Sequence, residues 1–326
     1  MGRLKIDSSS LLHGSRLRAR MLSAVSRTVG KKPKMVALLL SAGMDSLVAG
    51  LVAHELGHSV HGYTFQLGDE PTFDSRHAAT VAAKMGWEHT VIHLPTRLTE
   101  VVRAWPVMYR DLHCRKKREF ECSWPFLFVY PRVRERYVLN GIMADSHFVM
   151  SRKTLKLGAS GPDARKEATD AFRRSSFFPL LDEGEKCLTA DYNPSCLRQH
   201  YLMQHVGGHV SVDPFLNRPV FDYMIRLSWQ EMHTPSQKHI LAGMYPALIE
   251  KLGHRLHRNY QLAGNIDHHF EGILGTPINF RKRGRVIDMM GDWRRYDDEA
   301  LAVVARIEDR FGRQTLRGFM RGEYRI

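Results

Sequence analysis

The chain has 326 residues, of which 43% are hydrophobic and 25% charged, a balance that reads as globular and is long enough for one large core or two. No run of about 18 apolar residues occurs, which argues against a membrane span, and the start Met-Gly-Arg-Leu-Lys-Ile-Asp lacks the apolar centre of a signal peptide. The net charge of +14 is more than a small-molecule enzyme requires, and the four cysteines, Cys114, Cys122, Cys187 and Cys196, are too few for a disulfide framework and show no C-x-x-C spacing.

In chain order, a basic stretch from Ser10 to Val29 predicts a helix, followed by an apolar strand from Met35 to Leu40. Further strand-like runs at Val60 to Phe65, Thr90 to Leu94 and Tyr137 to Asn140 alternate with helical spacing at Ser46 to Leu56, Ser75 to Met85 and Thr99 to Tyr109. That alternation predicts an α/β fold with a parallel sheet and right-handed crossovers, its functional residues gathered at the C-terminal ends of the strands. The segment Ser151 to Pro179 has few apolar anchors and several turn residues, and reads as a connection or lid. The rest reads as mostly helical, with helices expected at Leu197 to Val206, Val220 to Gln230, Ser236 to Leu252 and Asp297 to Phe311, and no clear period from Asn259 to Asp292. Three parts are expected: a basic arm over 1–34, a nucleotide-binding domain over 35–253, and a helical extension over 254–326.

Between the first strand and its helix stands Ser41-Ala42-Gly43-Met44-Asp45-Ser46. Small residues delivered by a buried strand into a tight turn, with a helix starting at once, turn backbone N–H groups and a helix N-terminus toward an anion. An acid inside such a loop, Asp45, fits a ligand of Mg²⁺, since a divalent cation screens its repulsion from phosphate oxygens. A strand-to-helix turn with an acid near the helix start also arises for capping alone, so the hexamer does not decide the matter by itself.

Other segments, in order, carry a family resemblance. The hexamer resembles the S-G-G-x-D-S loop of the synthetase domain of asparagine synthetase and β-lactam synthetase, with Ala42 in place of a glycine. Ala tolerates positive φ poorly, so a slightly reshaped loop is expected. Tyr63-Thr64-Phe65, Phe73-Asp74-Ser75 and the run Ala78 to Ala82 resemble the adenine-side strand and helix. Gly141-Ile142-Met143-Ala144-Asp145 resembles a second strand-loop, G-x-G-x-D, whose acid is a second metal ligand. Asp213-Pro214-Phe215-Leu216-Asn217 resembles a P-F-L-D segment, and Lys238-His239-Ile240-Leu241 a K-x-x-L helix start.

The resemblance implies an adenine nucleotide α-hydrolase-like (Rossmann-like) core and an ATP- and Mg²⁺-dependent ligase that adenylates a carboxylate. Ser41, Ala42, Gly43, Met44, Asp45, Ser46, Thr64 and Gly141 would hold ATP, Asp45 and Asp145 would hold Mg²⁺, and Lys238 would stabilise the oxyanion formed when ammonia or an amine attacks the activated carbonyl. Asp222 reads as a structural acid and His89 as a polar strand-end residue. The pattern is broken at Ile142, where relatives carry an acid or tyrosine, and at Val210, where a glutamate is expected; His147, His205 and His209 are the substitutes in reach along the chain. Residue two is Gly2 rather than the catalytic cysteine of a glutaminase domain, so ammonia from solution, an amine, or a separate ammonia-supplying protein is the expected nitrogen source.

The basic runs Arg16 to Arg20, Arg27 to Lys34, Arg115 to Arg118, Arg132 to Arg136, Arg255 to Arg258 and Arg281 to Arg285 make nucleic acid a second candidate partner, with Tyr109, Trp124 and Trp293 as stacking candidates. Their plain alternative is a solubilising surface. The alternative activities are modification of a nucleic-acid base by the same adenylation, sulfur transfer through Cys114 or Cys187, and nucleotide binding without chemistry. A cytoplasmic location without membrane contact completes the expectation.

Overall fold

The strand predicted before the Ser41 loop, β1 (Met35–Leu39), lies at the centre of a five-stranded sheet. Its Val36, Ala37 and Leu38 are buried, as a strand covered on both faces requires. The other strands are β2 (Ser59–Leu67), β3 (Glu88–Leu94), β4 (Tyr137–Leu139) and β5 (Val210–Val212), and the order is β3-β2-β1-β4-β5. All four pairings are parallel, including Leu39 opposite Tyr63, Leu38 opposite Leu139 and Leu139 opposite Val212. The α/β parallel sheet is therefore as the alternation predicts. The computed structural model describes residues 5–96, 121–148 and 195–253, together with Ala104, Met108, Leu112 and Ile266. The expectations for 151–179, 259–292 and 297–311 lie outside these residues, apart from Ile266, and no described helix is long and apolar enough to cross a membrane.

The helices that position the site are α1 (Ser8–Val29), α2 (Met44–Glu55) and α3 (Phe73–Met85), then α4 (Phe126–Val129), α5 (Ala144–His147) and α6 (Ser195–His205). After β5 come α7 (Arg218–Met224), α8 (Trp229–His233), α9 (His239–Met244) and α10 (Pro246–Leu252). Leu17, Met21, Val25 and Val29 of α1 join Val36, Leu38 and Leu40 in one core cluster on one face of the sheet. Ala37, Tyr63 and Val138 carry the other face, against Trp124, Phe126 and Tyr130. The stretch expected as a basic arm thus contributes a 22-residue helix to the main core. Its apolar residues recur at helical spacing while Arg16 and Arg18 point to the outside.

Helix α1 meets α9 backbone to backbone. A β-carbon on Gly14 would fall 2.3 Å from the Gly243 carbonyl carbon, and one on Gly243 would fall 1.9 Å from the Ser10 carbonyl oxygen. Ser10 Oγ and His239 Nδ1 are 2.8 Å apart across the same contact.

Several helix boundaries differ from expectation for identifiable reasons. The run Val220 to Gln230 divides because Ser228 caps α8 in a reciprocal capping box with Glu231. The run Ser236 to Leu252 divides at Tyr245, since Pro246 lacks the N–H that a continuous helix needs and opens α10 instead. Strand β5 was not expected at all; its three residues are too few to show a period.

Candidate active site

In the order 3-2-1-4-5 the chain leaves β1 to one side and returns at β4 on the other, so the crevice between these two strands is the topological switch point. The loops after β1 and β4 carry Asp45, in the first turn of α2, and Asp145, in α5. Lys238, immediately before α9, reaches both. Its Nζ is 2.8 and 2.7 Å from the two Asp45 carboxylate oxygens and 2.6 Å from Asp145 Oδ1. The three residues singled out as catalytic therefore converge on one point.

The Lys238 side chain is 4% exposed, Asp45 15% and Asp145 56%, so the cluster is sealed on the lysine side and open at Asp145. Burial pushes the Lys238 ammonium down, but the charges of Asp45 and Asp145 outweigh it and hold the group above the usual lysine range. For Asp45, burial pushes the carboxyl up while Lys238 opposes, and the Asp145 charge adds to the rise.

The loop from Ser41 to Ser46 is held by its own hydroxyls. Ser41 Oγ and Ser46 Oγ are 3.1 Å apart, Gly43 N–H donates to Ser41 Oγ, Ser41 N–H donates to Ser46 Oγ, and Ser46 Oγ donates to the Gly43 carbonyl. No side chain caps α2, whose N-cap is Gly43, so its first amides remain for solvent or an anion. Ala42 is not among the residues at positive φ, in keeping with the poor tolerance of alanine for that conformation. Its N–H donates to Asp74 Oδ1 at 3.3 Å. Asp74 is buried, which pushes its carboxyl up to about 6.

The second loop is fitted against the first. A β-carbon on Gly141 would fall 2.8 Å from the Asp45 Cβ and the Ser46 nitrogen, so only glycine allows this approach. Met143 stands at φ 73, in the place of the second glycine of G-x-G-x-D. Asn140 Oδ1 accepts from Ile142 N–H at 2.9 Å, and Asn140 Nδ2 donates to Asp213 Oδ1 at 2.6 Å. His200 Nε2 lies 2.8 Å from the same Asp213 oxygen. Burial pushes Asp213 up, yet His200, Ser211 and Asn140 together hold it below its ordinary value, while Asp213 outweighs burial to raise His200. This network binds His200 and Asn140 to Asp213, an arrangement that nothing in the sequence pattern brings together. Asp213 alone carries a signal, as the start of the P-F-L segment.

Other sequence candidates fall elsewhere. Thr64 stands behind the loop, its hydroxyl donating to the Leu40 carbonyl at 2.6 Å and lying 3.0 Å from His89 Nε2. Val210 opens β5 opposite Tyr137, on the edge away from Asp45, so it is not a site position. His209 sits on that same distant edge, its ring nitrogens each 2.9 Å from the carbonyl oxygens of Glu135 and Tyr130. His147 is buried with Nε2 2.6 Å from the Phe215 carbonyl oxygen, and the His205 ring packs on Tyr201. Asp222 pairs with Arg218 one helical turn away, as a structural acid does. Trp124 is fully buried and cannot stack on a base. Tyr109, Trp293, Cys114 and Cys187 lie outside the described residues, and Cys122 is buried and outside any disulfide.

The donors present fit Mg²⁺. Two carboxylates converge on the Lys238 ammonium, so Mg²⁺ held by both would have to move that ammonium aside, and among the described residues no group of three or more His, Cys, Asp or Glu forms an all-protein cage. Mg²⁺ is commonly held by one or two carboxylates together with substrate phosphates, whereas zinc would require more nitrogen and sulfur ligands.

Switch-point acids beside a serine-rich loop at a helix N-terminus define a class, the α/β nucleotide-binding proteins with a pyrophosphate loop. The chain belongs to the asparagine synthase family, whose model matches residues 16–178, half of its length. It is also similar to a 7-cyano-7-deazaguanine synthase of Erythrobacter litoralis, 40% identical over 58 residues, which are 18% of this chain and 24% of that protein. The chain thus spans about a quarter of the length of the curated relative it matches. Among solved structures it overlaps the U34-tRNA thiolase NcsA from Methanococcus maripaludis, at 13% identity and TM-score 0.36, covering 97% of this chain and 89% of that one. A predicted subunit of tRNA methyltransferase from Methanocaldococcus jannaschii gives 16% identity and TM-score 0.25, covering 57% and 92%.

Proposed function

We propose that this chain is an ATP-dependent, AMP- and pyrophosphate-forming ligase that activates a carboxylate as its adenylate for attack by ammonia or an amine. The observation that carries this reading is the meeting of Asp45, Asp145 and Lys238 at the switch point beside the Ser41 to Ser46 loop. In it, the loop amides and the α2 N-terminus hold the triphosphate of the substrate ATP. A substrate carboxylate oxygen attacks the α-phosphorus, the bond to the bridging oxygen breaks, and pyrophosphate leaves. Asp45 and Asp145 would hold Mg²⁺, which when bound neutralises charge on the phosphate oxygens.

Lys238 is set between the two acids as a preorganised cation. It stabilises negative charge on the carbonyl oxygen when the nitrogen nucleophile adds. The added nitrogen releases a proton to solvent, AMP leaves with the bonding pair of the broken acyl–oxygen bond, and the amide remains. Ile142 cannot take a proton, and His147 is engaged with a main-chain carbonyl, so the nucleophile in this reading arrives uncharged, as ammonia or a neutral amine. A separate protein that supplies ammonia fits the same requirement.

A second reading keeps the adenylation and changes the acceptor to a base or a carboxylate carried on one. It is favoured by the local similarity to 7-cyano-7-deazaguanine synthase and by the net charge of +14. Pyrophosphate release from ATP and Mg²⁺ tests both, with pooled amino acids and ammonium, then with deazapurine carboxylates, then with RNA. Release lost in Asp45→Ala supports the adenylating chemistry, and the stimulating pool selects the acceptor. ATP binding without release in every pool would leave a nucleotide-binding protein.

A further inference from the structure

The edge of the sheet opposite the candidate active site carries a row of cations that the ligase chemistry does not use. Lys31, Lys32 and Lys34 lead into β1, and Arg132, Arg134 and Arg136 lead into β4, its hydrogen-bonded neighbour. Five of the six are exposed and Lys34 is half-buried. The two groups meet over Tyr137, with Lys34 Nζ 4.6 Å and the Arg136 guanidinium carbon 5.6 Å from the ring centre. No carboxylate among the described residues forms an ion pair with any of the six. Of the acids at this edge, Glu135 is turned inward, 2.7 Å from His61 Nδ1 and 2.9 Å from the Tyr63 hydroxyl. Glu88 of β3 is exposed and borders the same cavity as Arg132 and Arg134, where it is the one acid facing solvent beside them among the described residues, 3.9 Å from His61 Nδ1.

Beside the row, Arg132 and Arg134 border a cavity of about 300 Å³ together with His61, Tyr63, Glu88 and Thr90. We infer that this edge is a docking surface for a nucleic-acid phosphodiester backbone, separate from the site of adenylation. Cations in a row, five of them exposed and none paired with a carboxylate among the described residues, gain from counterion release along a polyanion, and arginine forks match phosphate oxygens; Arg132 also donates to the Phe128 carbonyl at 2.8 Å. A bilayer suits the edge poorly. Its exposed large apolar side chain is Met35 alone among the described residues, and a flat surface does not enter a concave wall. The edge lies a full strand from Asp45, about 15 Å for the five residues of β1, so binding there requires neither ATP nor turnover.

The test is fluorescence anisotropy without ATP, using a labelled single-stranded RNA of about 20 nucleotides, longer than a typical single-strand site, and DNA of the same sequence, over a salt series. Phosphatidylserine vesicles are the comparison. The wild type is expected to bind the oligonucleotides, with the logarithm of affinity falling linearly with that of salt concentration. Replacing Arg132, Arg134 and Arg136 together by alanine should weaken binding about tenfold or more and reduce the salt slope by about 2. Replacing all three by lysine should retain most of the affinity, which separates charge from misfolding. Equal binding of RNA and DNA assigns recognition to the backbone; tighter RNA binding adds the 2′-hydroxyl to the same surface. Unchanged affinity and slope in the alanine variant, equal losses in the lysine variant, or binding to vesicles and not to oligonucleotides would each overturn the proposal. Absent ATP, neither outcome depends on the ligase reading.

Discussion

Gly141 lies against Asp45 so closely that a β-carbon at Gly141 would fall 2.8 Å from that of the acid. This contact joins the loops after β1 and β4 and sets the distance at which Asp45 and Asp145 face Lys238. Gly141→Ala must separate the loops or shift α2. The expected cost is about 1–3 kcal/mol of stability, with a larger proportional loss of ATP affinity, measured by urea unfolding and nucleotide titration on the same preparation.

The lysine is fixed from a distance. It precedes α9, and α9 is held by the Gly14–Gly243 contact with α1, so the N-terminal helix braces the candidate site. Gly243→Ala has no space for its methyl group beside the Ser10 carbonyl oxygen. It should lower stability by about 3 kcal/mol, at the upper end for overpacking, and lower turnover more than Km for ATP. Thermal unfolding and steady-state kinetics check both parts.

Lys238→Met leaves Asp45 buried beside a second carboxylate without a cation. Breaking a buried pair costs about 3–5 kcal/mol, and the exposure of Asp145 favours the lower figure. Because the lysine lies above its ordinary value in the folded chain, its contribution is present at neutral pH. It is lost only in strongly alkaline solution, as pH rises past that folded value. Mg²⁺ should stabilise the variant more than the wild type, since the cation then meets two uncompensated carboxylates. Equal Mg²⁺ effects in denaturant titrations would count against the shared metal position.

Asp74 makes a prediction in acid. Burial raises its carboxyl to about 6 from 3.8, so between those values the folded chain keeps a proton that the unfolded chain has released. Stability should therefore fall as pH rises from about 4 to about 6, by up to about 3 kcal/mol from this group. In Asp74→Asn the amide oxygen still accepts from Ala42 N–H, and this group's share of the fall should vanish while the raised Asp45 carboxyl keeps its own, leaving the variant more stable than wild type at pH 7. Urea unfolding at several pH values measures the difference.

Asp45 and Asp145 are legible because each follows an apolar strand run directly, and local pattern is enough to place them at strand ends. Lys238 is legible through family resemblance alone, since nothing local marks a lysine before a short helix. The His200–Asp213–Asn140 network is not legible, because its members come from α6, the end of β5 and the end of β4, and β5 has only three residues. The arginines of α1 suggest a basic helical arm. Leu17, Met21 and Val25, one turn apart on the other face, decide its burial. Val210 shows the limit of carrying a motif by count. Four residues before the Pro214 segment place it at the far end of a strand, away from the chemistry.

Which bond of ATP is broken tests the central claim most directly. The measurement is product analysis of α- and γ-labelled ATP incubated with Mg²⁺, ammonium and the acceptor pools, for the wild type beside Asp45→Ala. Matched amounts of AMP and pyrophosphate from the wild type, and neither from the variant, are the predicted result. ADP and phosphate as products, or AMP formed equally by Asp45→Ala, would contradict it.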